Sequence, residues 1–456
     1  MEKKQLYIQT FGCQMNVQDS EKMAALLQDS GYEATDDPKR ADLILVNTCS
    51  IREKAAQKIY SQLGRFRALK EQKPHLLIGV GGCLAQQRGN RLFRRAPYLD
   101  LVFGTHNIHR LPELVEQVET LQERPVQTAF YRDPSYMEDP QEPVRVRGAK
   151  AFVTIMQGCN KVCSFCIVPH VRGREVSRPS SKIVAEIEAL VAQGVKEVML
   201  LGQNVNSYGK LAPGEIGFAE LLARVNAIDG IQRIRFTTSH PQDLSPELIE
   251  AYAGLDKLCE HLHLPVQSGS DSVLSRMRRG YTLEEYLERL RRLRARCPGV
   301  ALSSDIIVGF PGETEAEFAA TLELLKQVKY DEIFSFTYSP RPQTVAAKLY
   351  DDDIPDGIKK ERLTRVQNLQ RGITLGKNRE RIGAVEEILV EGRAKLHNGQ
   401  IMGRTRSNRI VNALGPETLV GDLLTVYITG ATATSLIGEP AGAVAASDIH
   451  PEGEFA

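Results

Sequence analysis

Short apolar segments alternate with amphipathic helical patterns along most of the 456 residues, and this alternation constrains the fold more than any other feature. Such a pattern predicts parallel sheets covered by helices. A chain of this length is also expected to form several domains. The first strand candidates are residues 6–10, 43–48, 76–80 and 101–103, with helical patterns at 19–28 and 52–70. We therefore predict an α/β multidomain protein that begins with an open parallel α/β sheet over residues 1–120.

Three cysteines of this first domain stand in similar positions. Cys13, Cys49 and Cys83 each lie just beyond a predicted strand and are 36 and 34 residues apart. The carboxyl ends of parallel strands share one edge, which is the usual ligand-binding edge, so the three thiols should converge. A buried free cysteine is often only a small apolar residue. Three of them, in loops rich in glycine and polar residues, favour a shared three-thiolate metal site.

A second set of three cysteines occupies one short loop. Cys159, Cys163 and Cys166 form a CxxxCxxC pattern directly after the predicted strand 151–156. Three thiolates can bind three irons of a 4Fe-4S cube and leave the fourth iron open to substrate or cofactor. His170 follows four residues later and could instead complete a closed Cys3His zinc site. Spacing alone leaves both possibilities open.

Residues 121–148 contain several prolines among mixed charges and are predicted to be a linker. Six further strand and helix units follow, which predict a partial (β/α)6 barrel over residues 149–372. The strand candidates are residues 151–156, 198–201, 231–238, 261–264, 301–308 and 332–338. Active-site residues of such barrels lie at the carboxyl ends of the strands, where this chain has polar clusters.

The C-terminal part, residues 373–438, has short β-rich segments with turn glycines and is predicted to be a small all-β barrel. Residues 439–456 are predicted to be a disordered tail. Five basic residues without an intervening acidic one suggest a surface that binds a phosphate backbone, although a solvated loop surface is the common alternative. They are Arg393, Lys395, Arg404, Arg406 and Arg409.

The composition adds few constraints. The net charge is +1, and no apolar stretch reaches the length of a membrane span. The N-terminal residues lack the apolar core of a signal peptide, so we expect a cytoplasmic protein with no membrane partner. In that reducing compartment the eight cysteines suit metal ligands better than disulfides.

The CxxxCxxC loop with Phe165 before its last cysteine, the upstream cysteine set and the terminal β domain together resemble the methylthiotransferases of the radical S-adenosylmethionine (SAM) superfamily. Members combine an N-terminal methylthiotransferase domain, a radical SAM barrel and a TRAM domain. The motifs at residues 10–16, 202–208 and 263–270 are similar to those of members that modify tRNA. Gln343 departs from the pattern, since the family usually has glycine there, and residues 391–395 lack the common Ser-Lys-Lys.

The resemblance implies a reaction. Two 4Fe-4S clusters would be present, a radical SAM cluster on the CxxxCxxC loop and an auxiliary cluster on the upstream cysteines. Two SAM molecules per turnover would add a methylthio group to C2 of N6-isopentenyladenosine at position 37 of tRNA, an unactivated carbon whose substitution requires cofactor chemistry. Alternatives within the family are a ribosomal-protein aspartate or another modified tRNA adenosine. A zinc-stabilised RNA-binding scaffold is the alternative that is not an enzyme.

The resemblance also implies partners and contacts. The partners would be the tRNA anticodon stem-loop, an electron donor such as flavodoxin or ferredoxin, and a sulfur donor, with the protein acting as a monomer. The implied SAM contacts are Phe165, Gln203, Asn204, Gln267, Ser268, Ile307 and Gly309.

Overall fold

The computed structural model describes residues 3–49, 53–137, 148–394 and 399–441, with no side-chain detail for residues 53–58. Three bodies follow one another along the chain: an open parallel sheet, an open barrel and a small closed barrel. None of the helices in the described ranges is long and apolar enough to cross a membrane. The predicted fold class is confirmed for each of the three bodies.

The N-terminal sheet has six parallel strands in the order β2-β1-β3-β4-β5-β6. Every residue of β3 is buried, because helices cover both faces of the sheet. The strands β2 and β6 are short and were not predicted, and β6 lies within the segment expected to be a linker. The strands are β1 Lys4–Thr10, β2 Tyr32–Ala34, β3 Leu43–Thr48, β4 Leu77–Gly82, β5 Leu101–Phe103 and β6 Val126–Gln127. The helices are α1 Gln14–Asp29, α2 Glu53–Gln72, α3 Cys83–Arg88, α4 Arg91–Arg95 and α5 Leu111–Leu121.

The central body contains six parallel strands in two sheets of three, ordered β7-β10-β11 and β12-β13-β14. A single bridge, Ile234 to Leu258, joins the two halves. The edge strand β14 exposes every second residue to solvent, including Phe334 and Phe336. The barrel is therefore incomplete, as predicted. The parallel strands are β7 Lys150–Thr154, β10 Glu197–Leu201, β11 Arg233–Phe236, β12 His261–His263, β13 Ala301–Val308 and β14 Glu332–Thr337, and a small antiparallel pair is formed by β8 Met156–Gln157 and β9 Val176–Ser177.

Nine helices within the described ranges surround or follow these strands. Two of them begin with complete capping boxes, Thr282 with Glu285 and Thr314 with Glu317, which satisfy the first backbone amides of each helix. They are α6 Val168–Arg172, α7 Ser180–Ala192, α8 Phe218–Asn226, α9 Pro246–Gly254, α10 Asp271–Arg276, α11 Leu283–Arg296, α12 Glu315–Val328, α13 Val345–Leu349 and α14 Asp356–Arg379.

The C-terminal body is a closed barrel of five strands in the order β15-β16-β17-β19-β18. Its buried core is aliphatic and includes Ile388, Val411 and Ile428. The predicted tail lies largely outside the described residues, which end at 441. The strands are β15 Val385–Arg393, β16 Gln400–Thr405, β17 Ile410–Leu414, β18 Leu423–Ala431 and β19 Leu436–Pro440.

The C-terminal barrel is attached to the amino-terminal ends of the central strands. Arg233, the first residue of β11, donates from Nη1 to the carbonyl of Arg404 at 2.8 Å and from Nη2 to the carbonyl of Glu387 at 2.9 Å. Arg235 donates to the carbonyls of Thr405 and Arg406 at 2.6 and 2.8 Å. Both arginines are almost completely buried. The small barrel therefore lies at the end of the central barrel opposite its carboxyl-terminal loops.

The N-terminal domain packs against the central barrel through α1. Met15 of this helix packs with Met199 and Leu201 of β10, and the Gln18 side-chain amide donates to the carbonyl of Phe152 at 3.0 Å. The carboxyl-terminal edge of the first sheet is consequently held beside the cysteine loop of the barrel.

Candidate metal and cofactor site

The three N-terminal cysteines lie at the ends of three neighbouring strands. Cys13 precedes α1 after β1, Cys49 follows β3, and Cys83 is the first residue of α3 after β4. Gly12 has a φ of +145°, and a Cβ built on it would lie 2.9 Å from the Cβ of Cys49. The loops that carry Cys13 and Cys49 are therefore in contact, and only glycine fits this position. The three cysteines therefore lie at the carboxyl-terminal edge of the sheet, where the loops of Cys13 and Cys49 meet, and their shared binding of one cluster stays a prediction.

Buried amides hold these loops together. The Asn16 side chain donates to Asn47 Oδ1 at 3.0 Å, and Asn47 Nδ2 donates to the carbonyl of Asn16 at 2.7 Å. Both side chains are fully buried. The Cys13 thiol donates to Asn16 Oδ1 at 3.3 Å. Because these buried polar groups form hydrogen bonds with one another, their burial leaves no donor or acceptor of this set unpaired.

One arginine of the central barrel reaches into this cysteine set. Arg172, at the end of α6, donates from Nε to Cys83 Sγ at 3.4 Å and from Nη2 to Asp19 at 2.6 Å. Its side chain is 3% exposed, and its Nη1 is buried without a hydrogen-bond partner among the described residues. Cys83 also packs with Ile167, the residue before α6, and with Val171 of that helix. The helix that follows the CxxxCxxC loop thus forms one wall of the N-terminal site.

Burial dominates the electrostatics of the N-terminal thiols. It raises the pKa of Cys83 to about 12, and the neighbouring Cys49 and Cys13 thiols add to this effect, while the guanidinium of Arg172 opposes it. Cysteine binds metal as the thiolate, so loading this site must release protons. Three thiols beside one buried cation form a donor set that suits an anionic iron-sulfur cluster, whose charge and hydrogen bonds to sulfur are set by such neighbours.

The CxxxCxxC loop is shaped by backbone contacts within the barrel. The amide of Cys159 donates to the carbonyl of Gly173 at 3.2 Å, and the amide of Cys166 donates to the carbonyl of Cys163 at 3.1 Å. The fully buried Ser164 hydroxyl donates to the carbonyl of Arg276 at 2.8 Å. All three cysteines of the loop are half-buried, so the loop presents them from a fixed backbone.

A second buried arginine contacts this cysteine set. Arg279 donates from Nη1 to Cys163 Sγ at 3.3 Å and from Nη2 to the carbonyl of Pro265 at 2.6 Å. Burial raises the pKa of Cys159 to about 11 and that of Cys166 to about 12. Each cysteine set therefore has one buried guanidinium that donates to one of its sulfur atoms.

The zinc alternative finds no support in the geometry. His170, its fourth ligand, is exposed on α6. Within the described ranges, no group of three or more His, Cys, Asp or Glu side chains is arranged to hold one metal ion. A single zinc requires all its ligands within about 2.3 Å of one centre, whereas a four-iron cube binds three thiolates through three different irons.

Three of the residues expected to contact SAM carry polar groups at the mouth of the barrel. Gln203 accepts from the amide of Gly158 at 2.5 Å and so contacts the start of the cysteine loop. Asn204 donates to Asp243 at 2.7 Å, and its Oδ1 is buried without a partner among the described residues. Gln267 has a φ of +78°, and its Oε1 is likewise buried without a partner. The unpaired oxygen atoms of Asn204 and Gln267 are therefore available to accept hydrogen bonds from a bound ligand, whereas that of Gln203 is already used by the Gly158 amide.

The other four expected SAM contacts have partners within the protein. The Ser268 hydroxyl accepts from the amide of Ser270 at 3.2 Å, and the amide of Gly309 donates to Glu313 at 2.7 Å. The amide of Ile307 donates to the carbonyl of Gln267 at 2.9 Å, and the ring of Phe165 packs in the same small apolar cluster as Ile307. Their direct contact with SAM stays a prediction.

Sequence reasoning missed several groups that the fold brings to the same region. Arg172 and Arg279 have no local signal that distinguishes them from surface arginines. Glu175 Oε1 and His240 Nε2 are buried without partners among the described residues, and burial lowers the pKa of His240 to about 2, so its ring is neutral. The mouth therefore offers both hydrogen-bond acceptors and donors to a polar ligand.

The four described arginines predicted to bind RNA all have acidic partners. Arg393 pairs with Glu417, and Arg404 lies 3.4 Å from Glu391. The other two bind the central barrel: Arg406 lies 2.7 Å from Glu260, and Arg409 pairs with Asp331. Lys395 lies outside the described residues. A role for these residues in RNA binding stays a prediction, and two of them already serve the contact between domains.

The departure at Gln343 also has a structural counterpart. Gln343 adopts a φ of +80°, a left-handed conformation that favours glycine. The next helix, α13, donates the amide of Ala346 to the carbonyl of Ser164 at 2.7 Å. A strained turn therefore supports the cysteine loop in this chain.

Comparison with known proteins agrees with this architecture. Residues 5–104 match the Uncharacterized protein family UPF0004, residues 153–325 match the Radical SAM superfamily, and residues 379–441 match the TRAM domain. Among solved structures, the radical SAM methyltransferase TsrM from Kitasatospora setae has a TM-score of 0.57 at 16% identity, covering 76% of this chain and 77% of its own. The cobalamin-dependent radical enzyme OxsB has a TM-score of 0.52 at 13% identity, covering 81% and 56% respectively. These two likenesses concern the fold alone.

The fold and the matched domains define a radical SAM enzyme with a C-terminal TRAM domain. The relative from Geobacter metallireducens, a tRNA-2-methylthio-N(6)-dimethylallyladenosine synthase, is 56% identical over 96% of this chain and 98% of its own length. The relative of the same name from Delftia acidovorans is 51% identical over 96% and 98%. The chain belongs to the family of tRNA-2-methylthio-N(6)-dimethylallyladenosine synthases.

Proposed function

We propose that this chain adds a methylthio group to C2 of N6-dimethylallyladenosine at position 37 of tRNA. The observation that carries the proposal is the pairing of two cysteine sets across one domain interface, each with a buried arginine on one sulfur. One set alone would suit many radical SAM enzymes. Two sets beside each other suit a reaction in which one base must receive both a radical attack and a sulfur atom.

Each cysteine set would hold one 4Fe-4S cluster. Cys159, Cys163 and Cys166 would bind the cluster that contacts SAM, and Cys13, Cys49 and Cys83 would bind the second cluster. With two SAM molecules used per turnover, these cofactors would supply the radical, the sulfur and the methyl group that an unactivated aromatic carbon requires.

The protein's own residues would position and shield these groups. Arg172 and Arg279 place positive charge against thiolates in a medium of low dielectric, where such contacts are stronger than in water. α6 covers Cys83 and keeps solvent from it. At the mouth of the barrel, Gln203, Asn204 and Gln267 would orient SAM through hydrogen bonds, while Phe165, Ser268, Ile307 and Gly309 would line the same ligand.

The substrate base would reach the cysteine sets from an anticodon stem-loop. Loop bases can be extruded and stacked on aromatic or arginine side chains, whereas bases in a duplex are inaccessible. Within this proposal the domains are residues 1–120, 149–372 and 373–438, with a linker at 121–148. A flavodoxin or ferredoxin would donate electrons, a separate donor would supply sulfur, and the enzyme would act as a cytoplasmic monomer.

An anaerobic assay tests the proposal. The reconstituted chain should contain about eight irons, as two 4Fe-4S clusters require. With SAM and a reductant, it should convert an isopentenylated anticodon stem-loop to the methylthio product, which mass spectrometry detects. An unmodified RNA together with a methylthiolated ribosomal-protein aspartate would overturn the substrate assignment. One zinc per chain and no iron would overturn the chemistry.

A further inference from the structure

We propose that four arginines of the N-terminal domain bind the phosphate backbone of the RNA next to the cysteine sites. They are Arg88 at the end of α3 and Arg91, Arg94 and Arg95 on α4, and we call them the α3–α4 arginine patch. The inference rests on the proposed function, because it assumes an RNA substrate. It assigns the phosphate contact to a different domain from the one that the basic residues of the C-terminal barrel suggested.

The patch is strongly positive and faces solvent. All four side chains are exposed, and the sequence has no acidic residue from Gln72 to Leu99. Arg95 lies over the ring of Tyr60 at 3.7 Å, which holds its guanidinium against the surface. Among the side chains that the structure describes, no carboxylate forms an ion pair with Arg88, Arg91, Arg94 or Arg95. The patch therefore keeps its charge available for a partner.

The arginines of the C-terminal barrel differ in this respect. Arg393, Arg404, Arg406 and Arg409 each have a carboxylate partner, so a phosphate would have to compete with that partner. An arginine without such a partner can bind a phosphate, and so release counterions of the nucleic acid, without first breaking an ion pair within the protein. Charge complementarity therefore favours the α3–α4 arginine patch as the contact for RNA.

The location of the patch fits the geometry of the reaction. α3 begins at Cys83, so Arg88 lies about 8 Å from it along the helix axis. The same helix lies beside α6, which leads from the CxxxCxxC loop. A strand of RNA whose base enters between the two cysteine sets would have phosphates of adjacent nucleotides within reach of Arg88, and α4 continues the patch from there. Phosphate contacts fix register and orientation, which is what an enzyme that modifies one base in a loop requires.

The test compares two variants of the holoenzyme that lose the same charge. The patch variant is R88Q/R91Q/R94Q, and Arg95 is retained because it packs on Tyr60. The control is R291Q/R292Q/R296Q on α11, whose arginines are more than half exposed but pair with Glu288 and Glu250. Fluorescence anisotropy measures binding of an isopentenylated anticodon stem-loop RNA between 50 and about 200 mM salt, the range in which phosphate contacts dominate.

We expect the patch variant to bind the RNA about tenfold more weakly than wild type at low salt. The slope of log binding constant against log salt concentration should become shallower by about two units, because three phosphate contacts on single-stranded RNA are lost. The control should keep the wild-type slope, and R88K/R91K/R94K should recover most of the affinity. Equal losses in patch and control variants, or an unchanged slope in the patch variant, would overturn the inference. Wild-type enzyme that leaves this RNA unmodified would instead refute the proposed function.

Discussion

The two cysteine sets reach similar arrangements by different routes. The second set comes from eight consecutive residues, and its loop is held by backbone contacts within one barrel. The first set comes from three strand ends that only meet when the N-terminal sheet has formed. The supporting arginines follow the same division: Arg279 belongs to the barrel that carries its cysteines, whereas Arg172 comes from the neighbouring domain. One site is therefore local, and the other depends on domain packing.

The largest expected effect comes from removing either set of ligands. C159A/C163A/C166A should abolish SAM cleavage and methylthio formation, because under the proposed function these cysteines hold the cluster that contacts SAM. C13A/C49A/C83A should also abolish methylthio formation but leave SAM cleavage measurable. Liquid chromatography of SAM products together with mass spectrometry of the RNA separates the two outcomes. Loss of SAM cleavage in C13A/C49A/C83A would contradict the proposal that only the barrel cluster cleaves SAM.

Arg172→Gln should destabilise the N-terminal site and the domain contact by about 3 to 5 kcal/mol, because it leaves the buried carboxylate of Asp19 without its cation. Arg279→Gln is the matched variant, since it removes the guanidinium that donates to Cys163. Its effect should be confined to the barrel cluster. Unfolding by urea measures the free energy, and electron paramagnetic resonance shows which cluster has changed. If either variant changed the spectra of both clusters equally, the conclusion that each arginine supports only its own cysteine set would be wrong.

The domain contact should also weaken in acid. His106 Nε2 donates a hydrogen bond to the carbonyl of Arg172 at 2.8 Å, and burial lowers its pKa to about 4 from the ordinary 6.5. The unfolded chain therefore binds this proton first as pH falls, so the folded state loses up to about 3 kcal/mol between pH 6.5 and pH 4.

A variant without the ring tests this pH dependence. The difference in unfolding free energy between wild type and His106→Gln should change across this interval and be constant above pH 7.5. A constant difference over the whole range would show that His106 titrates normally.

The smallest effect concerns the loop of the first site. Gly12→Ala would place a Cβ 2.6 Å from Asn16 Oδ1 in a left-handed conformation, and should cost about 1 to 3 kcal/mol. Gly64→Ala on α2 is the control, because nothing lies within 4 Å of its Cβ position, and it should stabilise the helix by about 0.5 to 1 kcal/mol. Thermal unfolding measures both. A neutral Gly12→Ala variant would mean that the contact between the Cys13 and Cys49 loops is loose.

The sequence predicted those features that depend on neighbouring residues. The strands that bear the cysteines follow from apolar patterning, and the convergence of Cys13, Cys49 and Cys83 follows from parallel strand order. The strands β2 and β6 were missed because they are short and mostly not buried, so neither has the apolar run that marks the equally short but fully buried β5. The partners Asp19 and Arg172 are 153 residues apart, so no local pattern could pair them.

The partners of the arginines in the C-terminal barrel were likewise not predictable from local sequence. The interval from Gly392 to Pro416 contains no acidic residue, which suggested a free basic surface. Arg406 and Arg409 meet their carboxylates, Glu260 and Asp331, only because the central barrel supplies them. Charge patterning along a chain identifies basic residues, but it does not show which of them the fold will neutralise.

The attachment of the C-terminal barrel at the amino-terminal ends of the central strands sets a minimum length for any molecule that contacts both the small barrel and the cysteine loop. The cysteine loop and the polar mouth lie at the opposite ends, and the five-residue strand β10 between them spans about 17 Å. A molecule that touches both must be at least that long. A free nucleoside is too short to contact both, so a role of the small barrel in substrate binding would require a substrate as long as an RNA hairpin.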